Sequence, residues 1–112
     1  MSLRLEERPF EFEGKKYILR CNMAVLETVQ DHYGGFSEAM SAPVRESSVY
    51  FLTAMLNDYA DEQGWEERWT FKQVQRRVTA AMLADADIVG MVTRAVTPTP
   101  KTSEEPGENS GN

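Results

Sequence analysis

One segment, residues 44–63, is long and apolar enough to set the centre of any fold that this chain adopts. Pro43 precedes it and is expected as the first residue of a helix, whereas Gly64 follows it as the helix stop. Between them the apolar side chains recur at helical spacing and form a wide face. The members of this face are Phe51, Leu52, Met55, Leu56 and Tyr59. The pattern predicts a long helix at the centre of the core.

A β-hairpin is predicted before this helix. Phe10 and Phe12 alternate with glutamates, which is the period-two pattern of a half-buried strand. Gly14-Lys15 is expected to form the turn, and residues 17–19 indicate a second strand because they combine aromatic, β-branched and aliphatic side chains. Two strands alone are marginally stable, so the hairpin is expected to pack against helices.

Two helical segments are predicted between the hairpin and the long helix. Asn22 is a good N-cap for a helix over residues 23–33. Gly34-Gly35 is expected to end that helix, because glycine accepts the left-handed cap conformation. A short helical turn is expected over residues 36–40.

Two more helical patterns follow the long helix. Thr70 and Gln73 match a capping box, in which each side chain caps a backbone amide of the first turn. One helix is expected to follow, with Phe71, Val74, Val78 and Met82 buried. Asp85 is expected to cap a last helix that ends before Thr97-Pro98. The residues expected on its buried side are Ile88, Met91, Val92 and Ala95.

These elements predict a mainly α fold of the α+β class, in which an N-terminal β-hairpin precedes a bundle of about four helices. Residues 1–8 are expected to be an N-terminal extension, and residues 9–96 a single helical domain with its hairpin. Residues 97–112 contain no aromatic or aliphatic side chain, so a disordered acidic tail is predicted there. The order of elements lacks a βαβ alternation, which argues against a doubly wound nucleotide-binding fold.

The net negative charge of the chain argues against two classes of partner, nucleic acids and anionic membranes. The formal net charge is −6, of which the tail holds −2, because Lys101 stands against Glu104, Glu105 and Glu108, and the body holds −4. Phosphate binding depends on lysine and arginine, so an acidic body argues against duplex DNA or RNA as the main partner. It also argues against docking on an anionic membrane surface.

The sequence also predicts where the protein is located in the cell and what role its single cysteine has. The first ten residues are charged and lack the apolar run of a signal peptide, and no stretch approaches the length of a membrane span. A cytoplasmic location is therefore expected. Cys21 is the only cysteine, so neither an intrachain disulfide nor a cysteine zinc cluster can form, and a small buried hydrophobe is its expected role.

No group of residues matches a catalytic or metal-binding motif. His32 is the only histidine, and a position near a helix C-terminus favours its positive charge without any catalytic role. Residues 58–67 are rich in carboxylates but lack the calcium-loop pattern, so a solvated acidic face is expected. Asp85 and Asp87 are interpreted as helix caps. No enzymatic activity, metal or cofactor is expected.

The candidate functional residues form a possible partner patch: Trp65, Trp69, Lys72 and Arg76. Tryptophan and arginine are enriched at binding hot spots, so Trp69 with Lys72 and Arg76 would make a mixed aromatic and basic surface. Alternatively, both tryptophans pack over the hairpin at the edge of the core. The basic cluster, which includes Arg77, is expected to join a salt-bridged surface with residues 58–67 or to meet an acidic partner.

A family resemblance is carried by residues 10–40, FEFEGKKYILRCNMAVLETVQDHYGGFSEAM. This segment resembles the opening of the tail assembly chaperones of long-tailed bacteriophages and prophages, in which a hairpin with a glycine turn precedes a helix that ends at glycine. The residues in matching places are Gly14, Tyr17, Leu19, Arg20, Leu26, Glu27, Tyr33 and Gly34. The later order of an apolar helix, Thr70-x-x-Gln73-Val74 and a terminal apolar helix is similar, so the resemblance covers residues 9–96.

The resemblance implies a non-catalytic protein-binding assembly factor. Members of that family coat the tape measure protein during tail assembly, recruit tail tube subunits and are absent from the finished particle. It therefore implies the tape measure and tail tube proteins as partners, and a bacterial host cytoplasm as the location. The acidic tail suits either a frameshift linker or a solubilising segment. The alternative is a small regulatory or nucleic-acid-associated helical domain, in which Lys72 and Arg76 would lie on a recognition helix.

Overall fold

The computed structural model describes residues 5–98, and two strands and six helices follow one another in this range. They are β1 Arg8–Phe12, β2 Lys15–Leu19, α1 Met23–Tyr33, α2 Phe36–Ser41, α3 Val44–Gln63, α4 Phe71–Gln75, α5 Ala80–Asp85 and α6 Ile88–Val96. The predicted mainly α fold with an N-terminal hairpin is confirmed. Residues 1–4 of the expected extension and residues 99–112 of the expected disordered tail lie outside the described residues.

The hairpin turns one residue earlier than expected. β1 and β2 pair antiparallel with Phe12 opposite Lys15, which leaves Glu13-Gly14 as the two-residue turn. Both turn residues have positive φ, 50° and 78°, as the turn types that match the twist of a hairpin require. A glutamate in this conformation costs about 1 kcal/mol. Phe12 and Tyr17 are buried, which shows that the hairpin packs one face against the helices.

The helix α1 begins and ends as the sequence predicts. The Asn22 side chain accepts the N–H of Val25 at 2.9 Å. At the other end, Gly34 takes the left-handed conformation with φ 91°. The N–H groups of Gly34 and Gly35 both donate to the carbonyl of Gln30, so the last turn of α1 is satisfied.

The helix α3 lies at the centre and contacts α1, β2, α4 and α6. Pro43 occupies the N-cap with ψ 132°, so the helix begins at Val44, one residue later than expected. It ends at Gln63 because Gly64 takes the left-handed conformation with φ 77°. The predicted apolar face is confirmed, with four of its members buried and Tyr59 half-buried: Phe51, Leu52, Met55 and Leu56.

The single helix expected after Thr70 is wrong, because the chain breaks between α4 and α5. The capping box is present, since Thr70 Oγ1 accepts the N–H of Gln73 at 3.2 Å and Gln73 Oε1 accepts that of Thr70 at 2.9 Å. The helix α4 nevertheless ends at Gln75. Thr79 is extended, and its hydroxyl accepts the N–H of Met82 at 3.1 Å, which caps α5. Threonine caps compete with helix continuation in this way.

The N-terminus of α6 also differs from expectation. Asp85 is not its cap but the exposed last residue of α5. Asp87 takes the N-cap position in the left-handed conformation, with φ 53°, and its carboxylate accepts a hydrogen bond from Arg94 at 2.9 Å. Ile88, Met91 and Val92 are buried as predicted, whereas Ala95 is exposed.

Ion pairs connect the first described residues to the last helix. The Glu6 carboxylate accepts two hydrogen bonds from Arg94, at 2.9 and 2.8 Å, and these bonds hold the pKa of Glu6 below its usual value. Leu5 and Pro98 line the same surface hollow. The two ends of the described chain therefore lie side by side. Within residues 5–98, no helix combines the length and apolar character needed to cross a bilayer.

Candidate partner-binding site

Trp65 and Trp69 pack against the hairpin at the edge of the core. The ring of Trp69 meets that of Phe12 edge to face, with centroids 5.0 Å apart, and its Nε1–H donates to the Tyr17 hydroxyl at 3.0 Å. Trp65 contacts the rings of Tyr17 and Tyr59 at 5.5 and 5.6 Å. Both indoles are half-buried. Each is therefore largely covered by contacts from within the chain.

The backbone of Trp69 is fixed by a side chain of α3. Its N–H donates to Asn57 Oδ1 at 2.7 Å, and its carbonyl accepts from Asn57 Nδ2 at 2.8 Å. One side-chain amide thus satisfies both backbone polar groups of Trp69, which lies outside any helix or strand and is half-buried. This pair of bonds positions residues 65–69, the connector between α3 and α4.

The predicted patch is only partly brought together. The guanidinium that lies over the Trp69 ring belongs to Arg77, at 5.6 Å, and Arg77 pairs with Glu13 of the hairpin turn at 3.4 Å. Lys72 and Arg76 are exposed and pair with no carboxylate of residues 5–98. Of the two expectations for the basic cluster, pairing with residues 58–67 is therefore wrong, whereas contact with an acidic partner stays a prediction. The cations that do pair with this acidic stretch are Lys15, Arg20 and Arg68.

His32 belongs to an aromatic cluster. Its ring lies 3.8 Å from that of Tyr50, and Tyr50 also stacks on Phe71 at 4.1 Å. Beside it, the Tyr33 hydroxyl donates to Glu46 at 2.7 Å, and burial together with this bond raises the pKa of Tyr33. Among residues 5–98, no three His, Cys, Asp or Glu side chains converge as metal ligands would. The neighbours of His32 are thus rings that hold it by stacking.

Cys21 is 6% exposed, and burial raises the pKa of its thiol to about 11. Because the thiolate is the reactive form, we expect DTNB at pH 8 to label the folded protein at least ~10-fold more slowly than the urea-unfolded chain. The labelling rate should rise only where circular dichroism reports unfolding. Rapid labelling of the folded protein would show an accessible thiolate and would contradict this expectation.

A mainly apolar groove, which the sequence does not predict, runs along the N-terminal half of α3. It consists of three adjoining hollows of about 470, 360 and 200 Å³. The first two hollows share Arg45, Ala80 and Leu83, and the second and third share Val44, Ser48, Ile88 and Val89. The helices α4 and α5 flank one end, and α2 and α6 flank the other. We call this surface the α3 groove. It is defined by the lining residues just named together with Met40, Tyr50, Phe71 and the two carboxylates Glu46 and Asp87.

The end of the α3 groove between α2 and α6 exposes aliphatic side chains. Met40 is 39% exposed, Val44 61% and Val89 53%, and all three line the same hollow. Single exposed apolar residues are common on proteins, whereas contiguous ones mark interaction sites. The other end presents the stacked rings of Tyr50 and Phe71. The groove therefore offers an aliphatic end and an aromatic end to one ligand.

The positions of Val44 and Val89 in the sequence give little indication that these residues line a groove. Val44 lies in the first turn of α3, before the predicted apolar face begins, and Val89 lies outside the predicted buried set of α6. Both are apolar residues for which the folded chain supplies no cover. The only indication in the sequence is that each residue lies outside the apolar face that its helix buries.

No protein-family model matches this chain, and no curated protein or solved structure is significantly similar to it. The α3 groove is therefore interpreted from its own geometry and chemistry.

Proposed function

We propose that this chain is a non-catalytic protein-binding assembly factor, and that the α3 groove holds the partner. The observation that carries the proposal is the row of exposed aliphatic side chains in the groove, namely Met40, Val44 and Val89. An amphipathic helix binds by laying its apolar face into such a groove. The lining part of α3, from Val44 to Phe51, spans about 11 Å at a rise of ~1.5 Å per residue, which suits roughly two turns of a partner helix.

The resemblance of residues 9–96 to the tail assembly chaperones supports a specific client. A long tape measure protein exposes apolar helical segments before the tail assembles around it, and a groove of this kind would cover them. We therefore propose the tape measure protein as the main partner and tail tube subunits as the second, in a bacterial host cytoplasm. Co-expression with both proteins followed by co-purification tests this assignment.

Charged substitutions in the groove should remove partner binding without unfolding the chain. We expect Val44→Asp with Val89→Asp to weaken partner binding about tenfold or more, since each places an unpaired carboxylate in an apolar contact. Both side chains are more than half exposed in the free protein, so helicity and melting temperature should stay near those of the wild type. Co-purification yield and titration calorimetry with the partner provide the measurement.

Met23→Asp is the matched control. Met23 is 64% exposed, which is similar to Val44, but it lies at the start of α1 and lines none of the three hollows of the groove. It should leave binding unchanged. Equal loss in both variants would show that the effect is general charge repulsion, and undiminished binding by the groove variant would exclude the α3 groove as the site.

The alternative nucleic-acid function is tested with the same protein. The helix α4 has five residues, which is short for a recognition helix in a major groove, and residues 5–98 carry more Asp and Glu than Lys and Arg. Titration with duplex DNA at low salt should therefore show weak binding that does not depend on sequence. Tight, sequence-dependent binding would replace the proposal made above.

A further inference from the structure

The cations of the described chain are unevenly paired. Six side chains form ion pairs with carboxylates: Arg8, Lys15, Arg20, Arg68, Arg77 and Arg94. Those that form none within residues 5–98 are Lys16, Arg45, Lys72 and Arg76. Lys16 stands directly opposite Glu11 in the hairpin register. Arg45, Lys72 and Arg76 lie outside the two strands, so no carboxylate faces them across a hairpin.

Arg45 lines the aromatic end of the α3 groove, and Lys72 and Arg76 are next in sequence to residues that line it. Arg45 lines two of its hollows, and Phe71 and Gln75 of α4 line one of the same hollows. Lys72 and Arg76 follow Phe71 and Gln75 in sequence and are four residues apart, with Lys72 in α4 and Arg76 at its C-cap. Two carboxylates also line the groove: Glu46, which accepts from the Tyr33 hydroxyl, and Asp87, which accepts from Arg94. The aromatic end thus carries three exposed cations against one carboxylate, Glu46.

The positive charge of Arg45, Lys72 and Arg76 contrasts with the net negative charge of the described chain. Residues 5–98 are acidic overall, and elsewhere in this range most cations are neutralised by carboxylates. Lys72 and Arg76, at a spacing of four, repel each other slightly within the free protein. Carboxylates supplied by a bound molecule would remove this repulsion and would be attracted to Arg45 as well.

We propose that the segment held in the α3 groove is an amphipathic helix that carries acidic side chains on the flank facing α4. This inference rests on the function proposed above and specifies the chemistry of the partner. The apolar face of that helix covers Val44 and Val89, and its carboxylates meet Arg45, Lys72 and Arg76. The chain's own acidic residues 103–108, SEEPGE, carry the charge but have no aliphatic or aromatic side chain to fill the α3 groove.

Two synthetic helical peptides provide the probe. Both have the same leucine face, and their flanking positions are glutamate in one and lysine in the other. Fluorescence anisotropy on the full chain at low salt should give about tenfold tighter binding of the glutamate peptide, because exposed ion pairs each contribute only a few-fold. The preference should shrink as salt screens the charges.

Charge-matched variants locate the effect. Arg45→Glu and Lys16→Glu change the net charge equally, but only the first alters the groove. We expect Arg45→Glu, and more strongly Lys72→Glu with Arg76→Glu, to reduce or invert the preference, whereas Lys16→Glu leaves it unchanged. An equal effect of Arg45→Glu and Lys16→Glu would assign the preference to overall charge and overturn the inference.

The remaining outcomes separate this inference from the proposed function. Equal affinity for both peptides, together with weakened binding by Val44→Asp, would overturn the acidic flank and leave the groove as a protein-binding site. Binding of neither peptide would overturn both. If deletion of residues 99–112 raises the affinity for the glutamate peptide about tenfold, the chain's own glutamates already occupy these cations, which would also overturn the inference.

Discussion

Trp69→Ala should lower the free energy of unfolding by about 3 kcal/mol, near the lower end of the range for truncating a buried tryptophan, because this indole is half-buried. The substitution removes the edge-to-face contact with Phe12 and the hydrogen bond to the Tyr17 hydroxyl. It also removes the cover that Trp69 gives to the hairpin. The loss is therefore one of packing between the hairpin and the helices.

Urea denaturation followed by circular dichroism measures this effect. Trp69→Phe is the control, since it keeps most of the ring contact with Phe12 and loses the bond to Tyr17, and should cost about 1 kcal/mol. The sequence-based alternative makes a different prediction, namely weaker partner binding with unchanged stability. That result would restore Trp69 as an exposed anchor of an aromatic and basic patch.

Asn57→Ala should destabilise the fold by about 2 kcal/mol, since it leaves the N–H and the carbonyl of the half-buried Trp69 without their partner. Asn57→Asp keeps an acceptor for the N–H but loses the donor to the carbonyl, and its effect should differ from that of alanine. Thermal and urea unfolding of both variants provide the test. A change below ~0.5 kcal/mol on replacement by alanine would show that water satisfies these groups equally well.

The two substitutions should not be additive. Asn57 holds the backbone of Trp69, whose ring contacts the hairpin, so both changes loosen the same connector. Residues that share partners typically couple by 0.5–3 kcal/mol in a double-mutant cycle, and we expect about 1 kcal/mol here. Additive effects would indicate that the ring and the backbone of Trp69 stabilise the fold independently.

The parts of the fold that could be predicted from the sequence depend on local chemistry. Asn22 caps α1, Gly34 and Gly64 end helices in the left-handed conformation, and Thr70 with Gln73 forms a capping box. Each of these devices needs only residues a few positions apart in the chain. The hairpin is signalled in the same way, by alternation and a glycine.

Where the prediction failed, two local preferences competed. Val78-Thr79 lies within a helical pattern of apolar residues, but the Thr79 hydroxyl caps a new helix instead of continuing the old one. The periodicity was compatible with either outcome, since the apolar spacing is nearly kept across the break. The sequence predicts the turn one residue too late because a glutamate rarely takes positive φ, whereas the strand register requires positive φ at Glu13.

The sequence predicts which residue types the candidate site contains, but it does not predict how they are arranged in space. Lys72 and Arg76 stand out in any acidic chain, and the structure leaves them exposed. Their proximity to the α3 groove depends on how α4 packs on α3, which no sequence spacing encodes. Val44 and Val89 are likewise exposed because no neighbouring helix covers them, and this depends on how the helices pack. Tertiary packing decides both.

Leu5 and Pro98 line one hollow, and Arg94 binds Glu6 beside it. A body whose entering and leaving segments meet at one point can be inserted into a loop of another polypeptide with little distortion of either. A fusion partner or affinity tag joined directly to Leu5 or Pro98 would emerge from the same spot. Two such attachments would compete for the same space and would be held within reach of each other.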